Sequence, residues 1–301
     1  MRSPDLIPAD VRARLKGLRL HSRRVSGAQG IGQHQSRSRG AGLEFAQYRA
    51  YEPGDEPRQI DWKLYARSDK FFVRESERDS PLIVWVLIDA TASMAQCDAK
   101  RPGWNRLQAA KAQAACVIEL ALRQGDRFGV IAVNDAGLTV VNAGNGTRHR
   151  DACLLALSRV EALGGWPNEA QCRPIWERIG ANSLVLVLSD DFEEGCVALA
   201  ERLAKARRDV LNIQILTAEE RDFPFRGGHR FLDVESGQEL LSDALASRAA
   251  FVTRFAAARR ALAARLAASG ITYLDYYLDQ PLDAPLRRLF TQGKARFQEG
   301  V

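Results

Sequence analysis

Asp89, Thr91 and Ser93 stand at two-residue intervals in the stretch VWVLIDATASMAQ, separated only by alanines. Their short side chains end in hard oxygen atoms, the donors that Mg²⁺ prefers at about 2.0–2.1 Å. Asp190, in the later stretch LVLVLSDDF, adds a carboxylate that also follows an apolar run. A site of this kind leaves positions for water or for a partner's carboxylate. A second reading has Asp89 and Ser93 capping the next helix and satisfying its free N–H groups. An aspartate at a strand end also suits a phosphoryl-transfer nucleophile, which makes a hydrolase using Asp89 the enzymatic alternative. Such enzymes need a second aspartate two residues on as general acid. Thr91 stands there instead, and its hydroxyl has no suitable pKa. No Gly-rich phosphate loop and no nucleophile–base pair is found. The chain therefore reads as a non-enzyme.

The elements that would position these residues alternate. Leu82–Ile88 is a continuous apolar run suited to a strand buried on both faces. Arg106–Leu122 has helical apolar spacing, and Phe128–Val133 and Leu138–Val141 read as strands around a turn. A helix over 150–163 ends at Gly164-Gly165. Further on come a strand over 183–188, a helix over 197–207 and a strand over 210–216. A hairpin at 229–241, a long alanine- and arginine-rich helix over 249–268, a strand over 271–278 and a short helix near 282–290 complete the series. Strands alternating with helices predict a mostly parallel sheet covered on both faces. Sites in such sheets lie outside the carboxyl ends of the strands, where Asp89 and Asp190 both fall. Arginines 254, 259, 260 and 265 read as a solvated helix face. Trp166 reads either as a core residue or as an exposed aromatic at the rim.

Composition is that of a globular protein, 46% apolar and 27% charged. Five widely spaced cysteines without a Cys-x-x-Cys pair predict free thiols in a reducing compartment. The four histidines do not cluster with them, which weighs against a zinc site. No run reaches the length of a membrane-spanning helix, and the start is too charged for a signal peptide. A cytoplasmic location, at most peripheral to the inner membrane, is expected. The net charge of +6 sits in residues 1–42, which hold nine Arg or Lys against Asp5 and Asp10. We expect a basic, partly flexible arm there, with a short amphipathic helix carrying Val11, Leu15 and Leu18. Such an arm suits nucleic acid or an anionic surface, but it lacks aromatic interleaving and a recognised fold, which weighs against nucleic acid.

Residues 43–80 are dense in aromatics and mixed charge and predict irregular structure packed on the domain formed by 81–301. In YEPGDEPRQIDWKLYAR, the residues Asp55, Arg58, Asp61 and Arg67 alternate in sign near Trp62. They suit a structural clasp of forked ion pairs or a docking surface for an ATPase.

This block, followed by DATASM, resembles the domain of unknown function 58 family, which joins it to a von Willebrand factor A-like domain. The resemblance covers roughly residues 42–290. It implies a Rossmann-like sheet with a metal-ion-dependent adhesion site on its rim, formed by Asp89, Thr91, Ser93 and Asp190 around Mg²⁺ or Mn²⁺. It also implies a threonine after the Gly-Gly pair. Trp166-Pro167-Asn168-Glu169 stands there, so Asn168 or Glu169 is the possible substitute. Many members begin with two membrane helices, whereas this chain resembles the short soluble form. The family further implies a non-enzymatic protein-interaction module, with a MoxR-type AAA+ ATPase and a carboxylate-bearing protein as partners, in the assembly or activation of other proteins.

Overall fold

The computed structural model describes residues 6–22, 45–51, 60–76, 81–225, 228–232 and 239–290. The chain divides into two compact units, one of residues 1–27 with 82–301 and one of residues 28–81.

The larger unit begins with α1 (Ala9–Arg14), continued by a 3₁₀ turn over Leu15–Gly17. Val11, Leu15 and Leu18 are buried as their spacing predicts, but the helix is not part of a free arm. These residues belong to the main core, and Arg14 Nε donates to the buried Asp283 at 2.9 Å. Leu20 and Gln124 exchange two hydrogen bonds, and Ser22 Oγ donates to Asp209 at 2.9 Å. The expected arm over 1–42 is thus corrected for its first part, because three apolar side chains and buried carboxylates hold it to the domain. The stretch 23–44 lies outside the described residues.

The smaller unit pairs β1 (Phe45–Ala50) antiparallel with β2 (Phe72–Ser76), with α2 (Trp62–Ser68) between them. Irregular structure was the expectation. The helix forms because the Asp61 carboxylate caps it, accepting from Lys63 N and Leu64 N at 3.0 Å each. Tyr65 stacks on Phe71 with ring centroids 4.5 Å apart, and Trp62, largely exposed, lies edge-on to both rings. Of the clasp residues, Arg67 is exposed, and Asp55 and Arg58 lie outside the described residues.

From residue 82 the larger unit resumes with β3 (Ile83–Asp89), a 3₁₀ turn (Ala92–Ala95), α3 (Arg106–Gln124), β4 (Arg127–Asn134), β5 (Gly137–Gly144) and α4 (Thr147–Arg159). Then come α5 (Glu169–Arg178), β6 (Leu184–Ser189), α6 (Glu194–Lys205), β7 (Asp209–Leu216) and α7 (Ala218–Asp222). The antiparallel pair β8 (Gly228–Leu232) and β9 (Glu239–Asp243) leads to α8 (Ala244–Ala268), β10 (Thr272–Tyr277) and α9 (Ala284–Phe290). The main sheet runs β10-β7-β6-β3-β4-β5, parallel except for the edge strand β5. This is the mostly parallel, Rossmann-like sheet that the sequence predicts.

Alternation along β3 distributes its side chains to two cores. Val84, Val86 and Ile88 pack against α3, α4, α9 and α1, while Trp85 and Leu87 pack against α5, α6 and α8. Helices therefore cover both faces, and the central strands are buried almost throughout. Among the described residues no helix is long and apolar enough to cross a membrane. The cysteines are free; Cys116, Cys153, Cys172 and Cys196 are buried, and Cys97 is half-buried beside Asn105, to which its backbone is bridged.

Candidate functional site: a charged rim at the carboxyl ends of β3 and β6

β3 and β6 are neighbours in register, with Ile88 opposite Leu188. The strands therefore deliver Asp89 and Ser189-Asp190 to the same edge of the sheet. All of Asp89, Thr91, Ser93 and Asp190 are buried. Asp89 Oδ1 accepts from Thr91 N at 2.9 Å and from Thr91 Oγ1 at 2.7 Å. Its Oδ2 accepts from Ser189 Oγ at 2.6 Å. Thr91 Oγ1 and Ser93 Oγ lie 3.1 Å apart. The sequence-predicted first and third loops are thus brought together.

The second loop arrives by its backbone. Ala92 N donates to Gly164 O at 2.8 Å, and Leu163 N donates to Ala90 O at 2.9 Å. The alanines at 90 and 92 leave room for this close approach. Gly164 has φ +60°, and a Cβ there would come within 1.9 Å of Asp135 Oδ1. Asp135 holds the loop from below, accepting from Gly165 N at 3.0 Å and donating its own N–H to Gly165 O at 2.8 Å. The two candidate substitutes for the threonine are occupied elsewhere. Asn168 caps α5, its side chain accepting from Gln171 N at 3.0 Å. Glu169, largely exposed, pairs with Arg202 at 2.5 Å. Trp166 packs half-buried against the second core, the core reading of the two.

A residue that the sequence reading treated only as the start of a helix sits at the centre of the site. Arg106, 2% exposed, donates from Nη1 to Asp190 Oδ2 at 2.7 Å and to Ser93 O at 3.1 Å, and from Nη2 to Glu220 Oε1. The Phe192 ring lies 5.0 Å from its guanidinium carbon. A signal existed in the sequence. Asn105 is a good helix cap, so Arg106 occupies the first turn, where the helix dipole disfavours positive charge. Carboxylates from outside its own helix favour an arginine at such a position. Glu220 was equally legible, because TAEE at 217–220 is a capping box that fixes α7.

The carboxylates outnumber the arginine. Burial, and then the neighbouring charge of Asp190, push the Asp89 carboxyl up to about 6, against the hydrogen bonds from Ser189 and Thr91. Asp191, whose φ is +58°, is pushed up to about 8, first by burial and further by Asp190 and Asp89. The hydrogen bond from Asn212 Nδ2 at 2.6 Å opposes that rise.

These residues do not fit the divalent ion that the resemblance implies. Both oxygens of Asp89 already accept from protein donors, and Asp190 is engaged by an arginine. The second loop contributes no hydroxyl, and among the described residues no three His, Cys, Asp or Glu side chains converge to hold a metal. Beside the buried cluster two large apolar side chains are open to solvent. Leu163 and Phe192 are 51% and 50% exposed, each one contact from the first loop. A cleft of about 280 Å³ beside Leu163 is lined by Ala90, Asn134, Leu138, Arg159, Glu161 and Leu163.

A family model described as a protein of unknown function, DUF58, matches residues 47–263. Uncharacterized proteins of Mycobacterium tuberculosis and Mycobacterium bovis are each 30% identical over 216 residues, covering 68% of this chain. The chain spans 65% of the length of these curated relatives. Among solved structures, the conserved hypothetical protein BatB from Bacteroides thetaiotaomicron is similar at TM-score 0.43 and 13% identity, over 69% of this chain and 95% of that one. The SpRpn10 VWA domain is similar at TM-score 0.40 and 14% identity, over 69% of this chain and 95% of that one.

Proposed function

The chain belongs to the DUF58 family, and on that premise we propose that it is a non-enzymatic protein-interaction module that receives a partner on its rim. The partner is a carboxylate-bearing protein, and the module works with a MoxR-type AAA+ ATPase in the assembly or activation of other proteins. The observation that carries this reading is the contrast at the rim. Two large apolar side chains, Leu163 and Phe192, stand half-exposed above a cluster of buried charge. Aromatic side chains such as that of Phe192 are enriched in the cores of protein interfaces. The exposed Arg159, at the edge of the cleft, supplies a cation for a partner's carboxylate.

The chemistry of Asp89 supports the same reading over hydrolysis. Its carboxylate is 1% exposed, and both oxygens are hydrogen-bonded within the protein. A nucleophile would have to leave those bonds, and no general acid stands two residues on.

The test is a pull-down of a MoxR-type AAA+ ATPase, with ADP, ATP or no nucleotide, using wild type and the Leu163→Asp/Phe192→Asp double variant. Association with the wild type, weakened about tenfold or more in the double variant, is expected. No association in any nucleotide state, or equal association of both proteins, would count against the rim as the receiving surface.

A further inference from the structure

We propose that Arg106 is the resident cation of this rim: its guanidinium supplies the positive charge that joins the first and third loops, and the rim keeps its shape without a divalent ion. The inference concerns the site assigned above to partner binding, but it does not depend on which partner binds there.

The contacts of Arg106 are those a bridging cation would make. Nη1 reaches the first loop at Ser93 O and the third loop at Asp190 Oδ2, and Nη2 reaches Glu220 in α7. Three segments distant in sequence are thus tied through one side chain. A planar guanidinium suits this because its donors point in several fixed directions, and it stays charged when buried. The carboxylates that face it are accounted for on their other sides. Asp190 Oδ1 accepts from Phe192 N at 3.2 Å. Glu220 Oε2 accepts from Thr217 N at 2.8 Å and Thr217 Oγ1 at 2.9 Å.

A divalent ion placed among Asp89, Thr91, Ser93 and Asp190 would stand beside this fixed positive charge. In a buried setting, two cations a few ångströms apart repel strongly. The ion would also have to take Thr91 Oγ1 and Ser189 Oγ away from Asp89, the bonds that stabilise that buried carboxylate. Arg106 cannot swing out without leaving Asp190 and Glu220 behind, so displacement by an ion would unpair two acids at once.

The test uses the full chain, stripped with chelator and then titrated with Mg²⁺ and with Mn²⁺, read by calorimetry and by thermal unfolding. Wild type, Asp89→Asn, Arg106→Gln and the Arg106→Gln/Asp89→Asn double variant are compared. Wild type is expected to release no binding heat, and its Tm is expected to move by less than about 1 °C at millimolar ion. Arg106→Gln is expected to melt lower and to recover part of the loss on addition of either ion. That recovery should disappear when Asp89 is also replaced. Saturable Mg²⁺ or Mn²⁺ binding by wild type, lost in Asp89→Asn alone, would overturn the proposal. So would an Arg106→Gln protein that folds with wild-type stability. Should Arg106→Gln fail to fold, the wild-type titration decides alone. A metal-dependent wild type that still captures its ATPase would sink this inference and leave the proposed function standing. A metal-independent wild type that captures nothing would do the reverse.

Discussion

The first and third loops of the rim keep their shape with buried charge, whereas the second keeps its shape with backbone. Around Arg106, side chains from α3, from the loop after β6 and from α7 meet in ion pairs, the backbone carbonyl of Ser93 joins them, and little of that surface reaches solvent. Around Gly164, peptide groups bond to the first loop, one aspartate props the glycine pair, and Leu163 is left outside. One half is therefore intolerant of lost charge and the other intolerant of added volume. The half-exposed apolar residues at the two edges are what remains free to meet another molecule.

Five changes bring out that contrast. Arg106→Ala should be the most damaging. It leaves the Asp190 and Glu220 carboxylates without their cation, a change that costs roughly 3–5 kcal/mol when a buried pair is broken. Urea denaturation should show the midpoint falling accordingly; a loss near zero would mean that the buried charges do not support the rim. Gly164→Ala comes next, at about 1–3 kcal/mol, through positive φ and a clash with Asp135. Asp135→Ala should relieve the clash but not the backbone strain. The double variant should then cost less than the two single losses combined, and strict additivity would show that the two residues do not touch.

Asp191 gives a pH-dependent test of the charged half. A carboxyl whose pKa in the folded state lies above its ordinary value of 3.8 holds its proton more tightly when folded. Its favourable share of stability is complete below about 4 and is eroded as pH rises to about 8. Asp89 acts in the same direction up to about 6. Asp191→Asn keeps an acceptor for Asn212 and tolerates the left-handed backbone, so it should flatten the decline between pH 5 and 8. Parallel pH profiles for the two proteins would place the titration elsewhere. Asn168→Ala should do least, about 1 kcal/mol for a lost helix cap, with partner capture unchanged. A capture defect in that variant would return Asn168 to the rim's working residues.

The sheet was legible because a strand buried on both faces has an unbroken apolar run, and Leu82–Ile88, 183–188 and 210–216 all do. The convergence of Asp89 and Asp190 followed from that topology. α5 was missed because its cap, Asn168, was read as a candidate ligand, and Pro174 interrupts its helical texture. α2 was missed because mixed charge and aromatics hide a helix that a single aspartate cap starts. Arg106 was missed for a different reason. A charged residue at a helix start is ordinarily a surface residue, and only tertiary contact from Asp190 and Glu220 makes this one interior.

The bridge between Cys97 and Asn105 has a practical consequence. Burial pushes the Cys116 and Cys153 thiols up to about 12 and raises those of Cys172 and Cys196 as well. A mild alkylating reagent added to the native protein should accordingly find Cys97 first. Because that thiol lies between the first loop and the start of α3, a fluorophore attached there would report whether the rim yields when another molecule arrives.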